Sequence, residues 1–72
     1  MVNTQLLDEK IADSGLHIGH IVKKIGISRA AFDKKRKGVN KFRVAEIYVL
    51  SDLLELSKED KMAIFDAEEV GE

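Results

Sequence analysis

Residues 16–38, LHIGHIVKKIGISRAAFDKKRKG, constrain the fold most, because a single glycine interrupts an apolar helical repeat there. Four apolar residues recur at the spacing of one helix face: Ile18, Ile21, Val22 and Ile25. Gly26 follows at once, and glycine tolerates the positive φ that a tight turn requires. Ser28 is a good N-cap for a second helix, in which Ala31 and Phe32 are predicted to face inward and which Gly38 closes. The pattern predicts two short helices at a steep angle, the second at residues 28–37.

Apolar spacing predicts three further helices, giving an all-α chain. The first begins at Asn3 or Thr4 and ends at Gly15, and its predicted core positions are Leu7, Ile11 and Ala12. Phe42 is placed in the core after a short connection. The fourth helix keeps its apolar spacing through Val44, Ile47, Leu50, Leu53 and Leu54.

The last predicted helix opens at Ser57, where SKED resembles a capping box with Asp60 in place of glutamate. Its predicted inward residues are Met62, Phe65 and Ala63, while Ile64 and Val70 are placed outward. The acidic tail at residues 66–72 completes one domain spanning residues 1–72, with no repeat or linker.

Charge is segregated along the chain, although the whole chain carries a net charge of only −1. Residues 16–43 hold nine cations against the single anion Asp33, a net +8, whereas residues 44–72 carry a net −7. The nine cations are Lys23, Lys24, Arg29, Lys34, Lys35, Arg36, Lys37, Lys41 and Arg43. Such asymmetry indicates a polyanion-binding face.

Several classes of protein are disfavoured by what the sequence lacks. The chain has no cysteine, which rules out disulfides and thiolate zinc sites. His17 and His20 lack a third ligand and are interpreted as surface residues, so we expect no metal and no cofactor. No nucleophile–base arrangement or phosphate-binding loop is recognisable, so we expect a non-enzyme. Without an apolar span or signal peptide, we expect a cytoplasmic protein of a bacterial host.

The second helix of the 16–38 segment is suited to reading DNA. Its predicted outer face carries Arg29, Ala30, Asp33, Lys34 and Lys37, of which all but Asp33 are small or cationic. A protruding helix of this kind fits a major groove about 12 Å wide. The segment is therefore interpreted as a helix-turn-helix, motif residues 16–38, that contacts double-stranded DNA.

The chain resembles the Cro and phage-repressor type of helix-turn-helix domain over residues 7–65. The similarity lies in Gly15-Leu16, in the Ile-Gly-Ile-Ser turn at residues 25–28, in Gly38 and in the apolar run of residues 46–57. The resemblance implies a five-helix, lambda-repressor-like DNA-binding domain that binds operator DNA as a homodimer to control a lysis/lysogeny-type genetic switch. It also implies base contacts from Arg29, Ala30 and Lys34, and phosphate contacts from Ser28, Lys37, Lys41 and Arg43.

A second function remains open within the same resemblance, since some small phage regulators bind a partner repressor instead of DNA. Ile18 stands where the family often has a DNA-contacting glutamine, and Tyr48 and Val49 are placed outward. With Arg29 and Lys34, these residues would form the protein-binding set of an antirepressor. The acidic second half of the chain would attract a basic DNA-binding domain. A small helical interaction or structural protein without regulatory role is the third alternative.

Overall fold

Five α-helices make up the part of the chain that the computed structural model describes, residues 2–65. They are α1 (Thr4–Ser14), α2 (Ile18–Ile25), α3 (Arg29–Arg36), α4 (Val44–Leu53) and α5 (Lys58–Ile64). No strand occurs within these residues, so the predicted all-α class is confirmed for them. None of these helices is long and apolar enough to cross a membrane.

The side chain of the residue before the helix accepts a first-turn backbone N–H in α1, α3 and α5. The Asn3 side chain accepts a hydrogen bond from the Leu6 N–H at 3.1 Å, which makes Asn3 the cap of α1. Thr4, the other predicted cap, instead donates its hydroxyl to the Arg36 carbonyl at 2.6 Å and so ties α1 to the end of α3. At α5, the Ser57 and Asp60 side chains each accept from the other's N–H, which confirms the predicted capping box.

Three phenylalanines occupy the centre of the core. Phe42 packs edge-on against Phe32 and Phe65, with ring centroids 6.0 and 5.6 Å apart. All three rings are buried, as the sequence predicts. Around them lie the buried aliphatic residues Val2, Leu7, Ile11, Ile21, Ile47, Leu50, Leu54 and Ile64. Helix α2 packs against α3 and α4, and α1 packs against α5.

The orientation of α5 differs from the prediction. Met62 is 49% exposed, whereas Ile64 is fully buried. The N-terminal segment explains this orientation, since the Asn3 N–H donates to the Ile64 carbonyl at 2.7 Å and α1 packs on α5. Ala63 is exposed, contrary to its predicted inward position, and so is Ala12 in α1. Val70 lies outside the described residues.

Candidate functional site

The turn between α2 and α3 sets the direction of α3. Gly26 adopts φ 88° and ψ 28°, and its N–H donates to the Val22 carbonyl at 2.8 Å. The N–H of Ile27 donates to the same carbonyl at 3.2 Å. Ile25 and Ile27 pack against the core on either side of the glycine. Because both neighbours of the turn are anchored, α3 leaves the turn in a fixed direction.

Helix α3 has one buried side and one exposed side. Phe32 is fully buried and fixes the helix to the core, and Ala31 beside it is half-buried. The exposed residues of α3 and its two caps are Ser28, Arg29, Ala30, Lys34 and Lys37. The Ser28 hydroxyl accepts from the Ala31 N–H at 3.0 Å and so acts as the predicted N-cap. The predicted outer face is therefore present, apart from Asp33.

Asp33 is engaged by two arginines and is only half-exposed. Its Oδ1 lies 3.0 Å from Arg36 Nη2 and 3.8 Å from Arg29 Nε. Its side chain is 33% exposed and that of Arg29 is 63% exposed. The Asp33 carboxylate thus offsets part of the positive charge on the outer face. It also forms an ion pair with Arg29, the first residue of the helix.

The run of four cations at residues 34–37 divides into two exposed and two inward-turned side chains. Lys34 and Lys37 are exposed. The Lys35 ammonium lies 2.6 Å from Glu46 Oε1, and both side chains are about nine-tenths buried. Arg36 reaches Asp8 of α1 at 3.4 Å and lies over the Phe32 ring at 5.8 Å. Sequence reasoning did not assign these roles, although Lys35 and Arg36 follow Phe32 by three and four residues and so share its face.

Glu46 is a buried carboxylate that sequence reasoning did not single out. It is 8% exposed, and its Oε1 also accepts the Arg43 N–H at 2.9 Å. Burial disfavours its ionisation, but hydrogen bonds from Lys35 and the Arg43 backbone, with their nearby charges, outweigh this and lower the pKa of Glu46. This role could have been predicted from its position, because a glutamate three residues after the N-cap commonly accepts the backbone N–H of the N-cap residue.

The connection between α3 and α4 carries the remaining predicted cations. Lys41 and Arg43 are exposed on either side of Phe42, which is 3% exposed. At the α3 end, the Val39 N–H donates to the Lys34 carbonyl at 2.8 Å, and Gly38 has φ 85°. Seven of the nine cations of residues 16–43 are exposed: Lys23, Lys24, Arg29, Lys34, Lys37, Lys41 and Arg43.

The residues predicted for protein binding are distributed over three helices, α2, α3 and α4. Ile18 is half-buried against the core, because its helix packs on α4 as well as on α3. Tyr48 and Val49 are 52% and 37% exposed, as predicted. The Lys61 ammonium lies 5.8 Å from the centre of the Tyr48 ring. The shallow groove there, of about 270 Å³, is lined by Tyr48, Ser51, Asp52, Glu55, Leu56 and Lys61. None of these residues belongs to α2 or α3, which hold Ile18, Arg29 and Lys34.

Within residues 2–65, no cluster of three His, Cys, Asp or Glu side chains is arranged to hold a metal ion. His17 and His20 are both exposed. Comparison of the chain with models of known protein families, with characterised proteins and with solved structures finds no match.

Proposed function

We propose that this chain is a phage-type transcriptional regulator of the Cro-like helix-turn-helix class, a binding protein without a catalytic step. The supporting observation is that α3 has one buried side and one exposed side. Phe32 holds one side in the core, and Arg29, Ala30 and Lys34 are exposed after the Gly26 turn. A helix held in this way is free to enter the major groove of operator DNA.

In this proposal the exposed side chains divide into those that contact bases and those that contact phosphates. The Arg29 guanidinium is suited to a bidentate contact with guanine, and the Ala30 methyl to the methyl group of thymine. Lys34 adds a third base-edge contact, while Ser28, Lys37, Lys41 and Arg43 bind phosphates. A second copy would read the other half-site, about 34–36 Å away along the duplex. Occupation of the operator would then control access of RNA polymerase.

Substitution of the exposed cations tests this proposal. Binding to a duplex from the chain's own promoter region, and to a random duplex, is measured by fluorescence anisotropy at several salt concentrations. Lys37→Ala should weaken both complexes and reduce the slope of log K against log salt by about 0.9, since one phosphate contact is lost. Arg29→Ala should weaken the promoter complex more than the random one, because it also removes base discrimination.

The matched control is Lys58→Ala, which removes an exposed cation at the first residue of α5. It should leave both complexes unchanged. Equal loss on the two duplexes for Arg29→Ala would contradict its role in base recognition. An effect of Lys58→Ala as large as that of Lys37→Ala would show that total charge, and not α3, determines binding.

A second candidate function is an antirepressor that binds the DNA-binding domain of a partner repressor. It is favoured by the exposed Tyr48 and Val49 and by the acidic groove residues Asp52 and Glu55. Aromatic residues beside carboxylates suit a basic protein surface. A gel shift of the promoter, with and without the co-encoded repressor, separates the two functions. A shift by this chain alone supports operator binding, whereas release of the repressor without such a shift supports the antirepressor.

A further inference from the structure

One buried carboxylate joins the end of α3 to the start of α4. Glu46 Oε1 receives the Lys35 ammonium at 2.6 Å and the Arg43 N–H at 2.9 Å. Lys35 lies in the last turn of α3, and Arg43 is the residue before α4. The two ends of the connection at residues 37–43 are therefore held together through a single oxygen atom.

The enclosed connection carries exposed cations at both ends. Lys37 stands at its start, and Lys41 and Arg43 stand at its end. Phe42 anchors only the latter part in the core. The Val39 N–H holds the α3 end to the Lys34 carbonyl at 2.8 Å, and the contact between Lys35 and Glu46 adds a restraint that joins this end to α4.

We propose that Glu46 is a positioning residue for DNA binding, which holds residues 37–43 in the conformation that Lys37, Lys41 and Arg43 need to contact phosphates. The inference rests on the proposed operator-binding function. Its physical basis is preorganisation, because a segment ordered before binding loses less conformational freedom when the complex forms. Lys35 accordingly stays bound to the Glu46 carboxylate and does not contact a phosphate.

The test uses substitutions that remove the charge pair and retain the packing. Glu46→Gln keeps an oxygen for the Arg43 N–H but carries no charge, and Lys35→Met keeps most of the apolar stem. The double substitution replaces the pair with neutral groups of similar size, so no unpaired buried charge remains. Lys10→Met is the matched control, since it breaks an ion pair with Asp60 that joins α1 to α5 at 3.3 Å.

Affinity for the promoter duplex is measured at several salt concentrations, after thermal unfolding has shown that each variant is folded at the assay temperature. If a variant is only marginally stable at the assay temperature, Ser51→Ala is introduced into both that variant and the wild type to raise the free energy of unfolding. Glu46→Gln, Lys35→Met and the double variant should each bind about tenfold more weakly, while Lys10→Met should bind like the wild type. Amide hydrogen exchange at residues 38–43 should be faster in the first three variants only.

The salt dependence separates positioning from direct contact. Lys35→Met should leave the slope of log K against log salt unchanged, because the same phosphates are contacted at a higher ordering cost. Lys37→Met, which removes an exposed cation assigned to a phosphate, should by contrast reduce that slope by about 0.9.

Two results would overturn the inference. In the first, the Glu46 and Lys35 variants bind as tightly as the wild type; in the second, Lys35→Met lowers the salt slope by about 0.9, as loss of a phosphate contact would. Absence of binding by the wild-type chain would reject the proposed function together with the inference. Binding by the wild type with unchanged variants would reject the inference alone.

Discussion

Alanine at Gly26 and alanine at Gly19 should change stability in opposite directions. Gly26 has φ 88°, whereas Gly19 lies within α2 and has no positive φ. Apart from the chain neighbours and, at Gly19, the backbone of α2, a Cβ atom added at either position meets no atom within 4 Å, so neither substitution clashes with the rest of the fold. Only the backbone conformation distinguishes the two sites, which makes them a matched pair.

The magnitudes follow from that difference. An L-residue in the left-handed region costs roughly 1–2 kcal/mol, partly offset by about 0.4–1 kcal/mol from the stiffer unfolded chain. Gly26→Ala should therefore lower the free energy of unfolding by about 1 kcal/mol. Gly19→Ala should raise it by about 0.5 kcal/mol, below the full interior value because Gly19 lies in the first turn of α2.

Urea and thermal unfolding followed by circular dichroism measure both variants. A difference of about 1.5 kcal/mol corresponds to roughly 6–12 °C in Tm for a domain of this size. The two substitutions should change stability in opposite directions, so a Gly26→Ala protein as stable as the Gly19→Ala protein would refute the assigned backbone strain.

Two further predictions concern α4. Ser51→Ala should raise the free energy of unfolding by about 1 kcal/mol, because the buried Ser51 hydroxyl has no hydrogen-bond partner within the described structure. Urea unfolding measures this gain, and a loss of stability would contradict the prediction. The pKa of Glu46 is lowered from its ordinary value of 4.5, so this carboxylate stabilises the fold at pH values above 4.5. The stabilisation should fade as the pH falls through the lower pKa of the folded state. Unfolding measured from pH 7 to pH 3 should therefore show a smaller acid-induced loss for Glu46→Gln than for the wild type, and parallel curves would argue against the ion pair.

The local sequence was sufficient to locate the helices. Asn3, Ser28 and Ser57 cap their own first turns, and Gly15 and Gly26 end α1 and α2 with positive φ. These features depend on residues within four positions of one another, so they can be read without knowledge of the fold. Helical periodicity also placed Phe32 inside and Lys34 outside, and this outlined the exposed side of α3.

The tertiary structure decided which charged side chains remain on the candidate site. Lys35 follows Phe32 by three residues and so lies on its face, but only the fold supplies its partner Glu46, eleven residues away. Arg36 likewise turns to Asp8 of α1, and the docking of Asn3 on α5 buries Ile64 and exposes Met62. Each of these outcomes depends on a partner from another helix. Periodicity defines the faces of a helix, but the packing of the other helices determines what each face contacts.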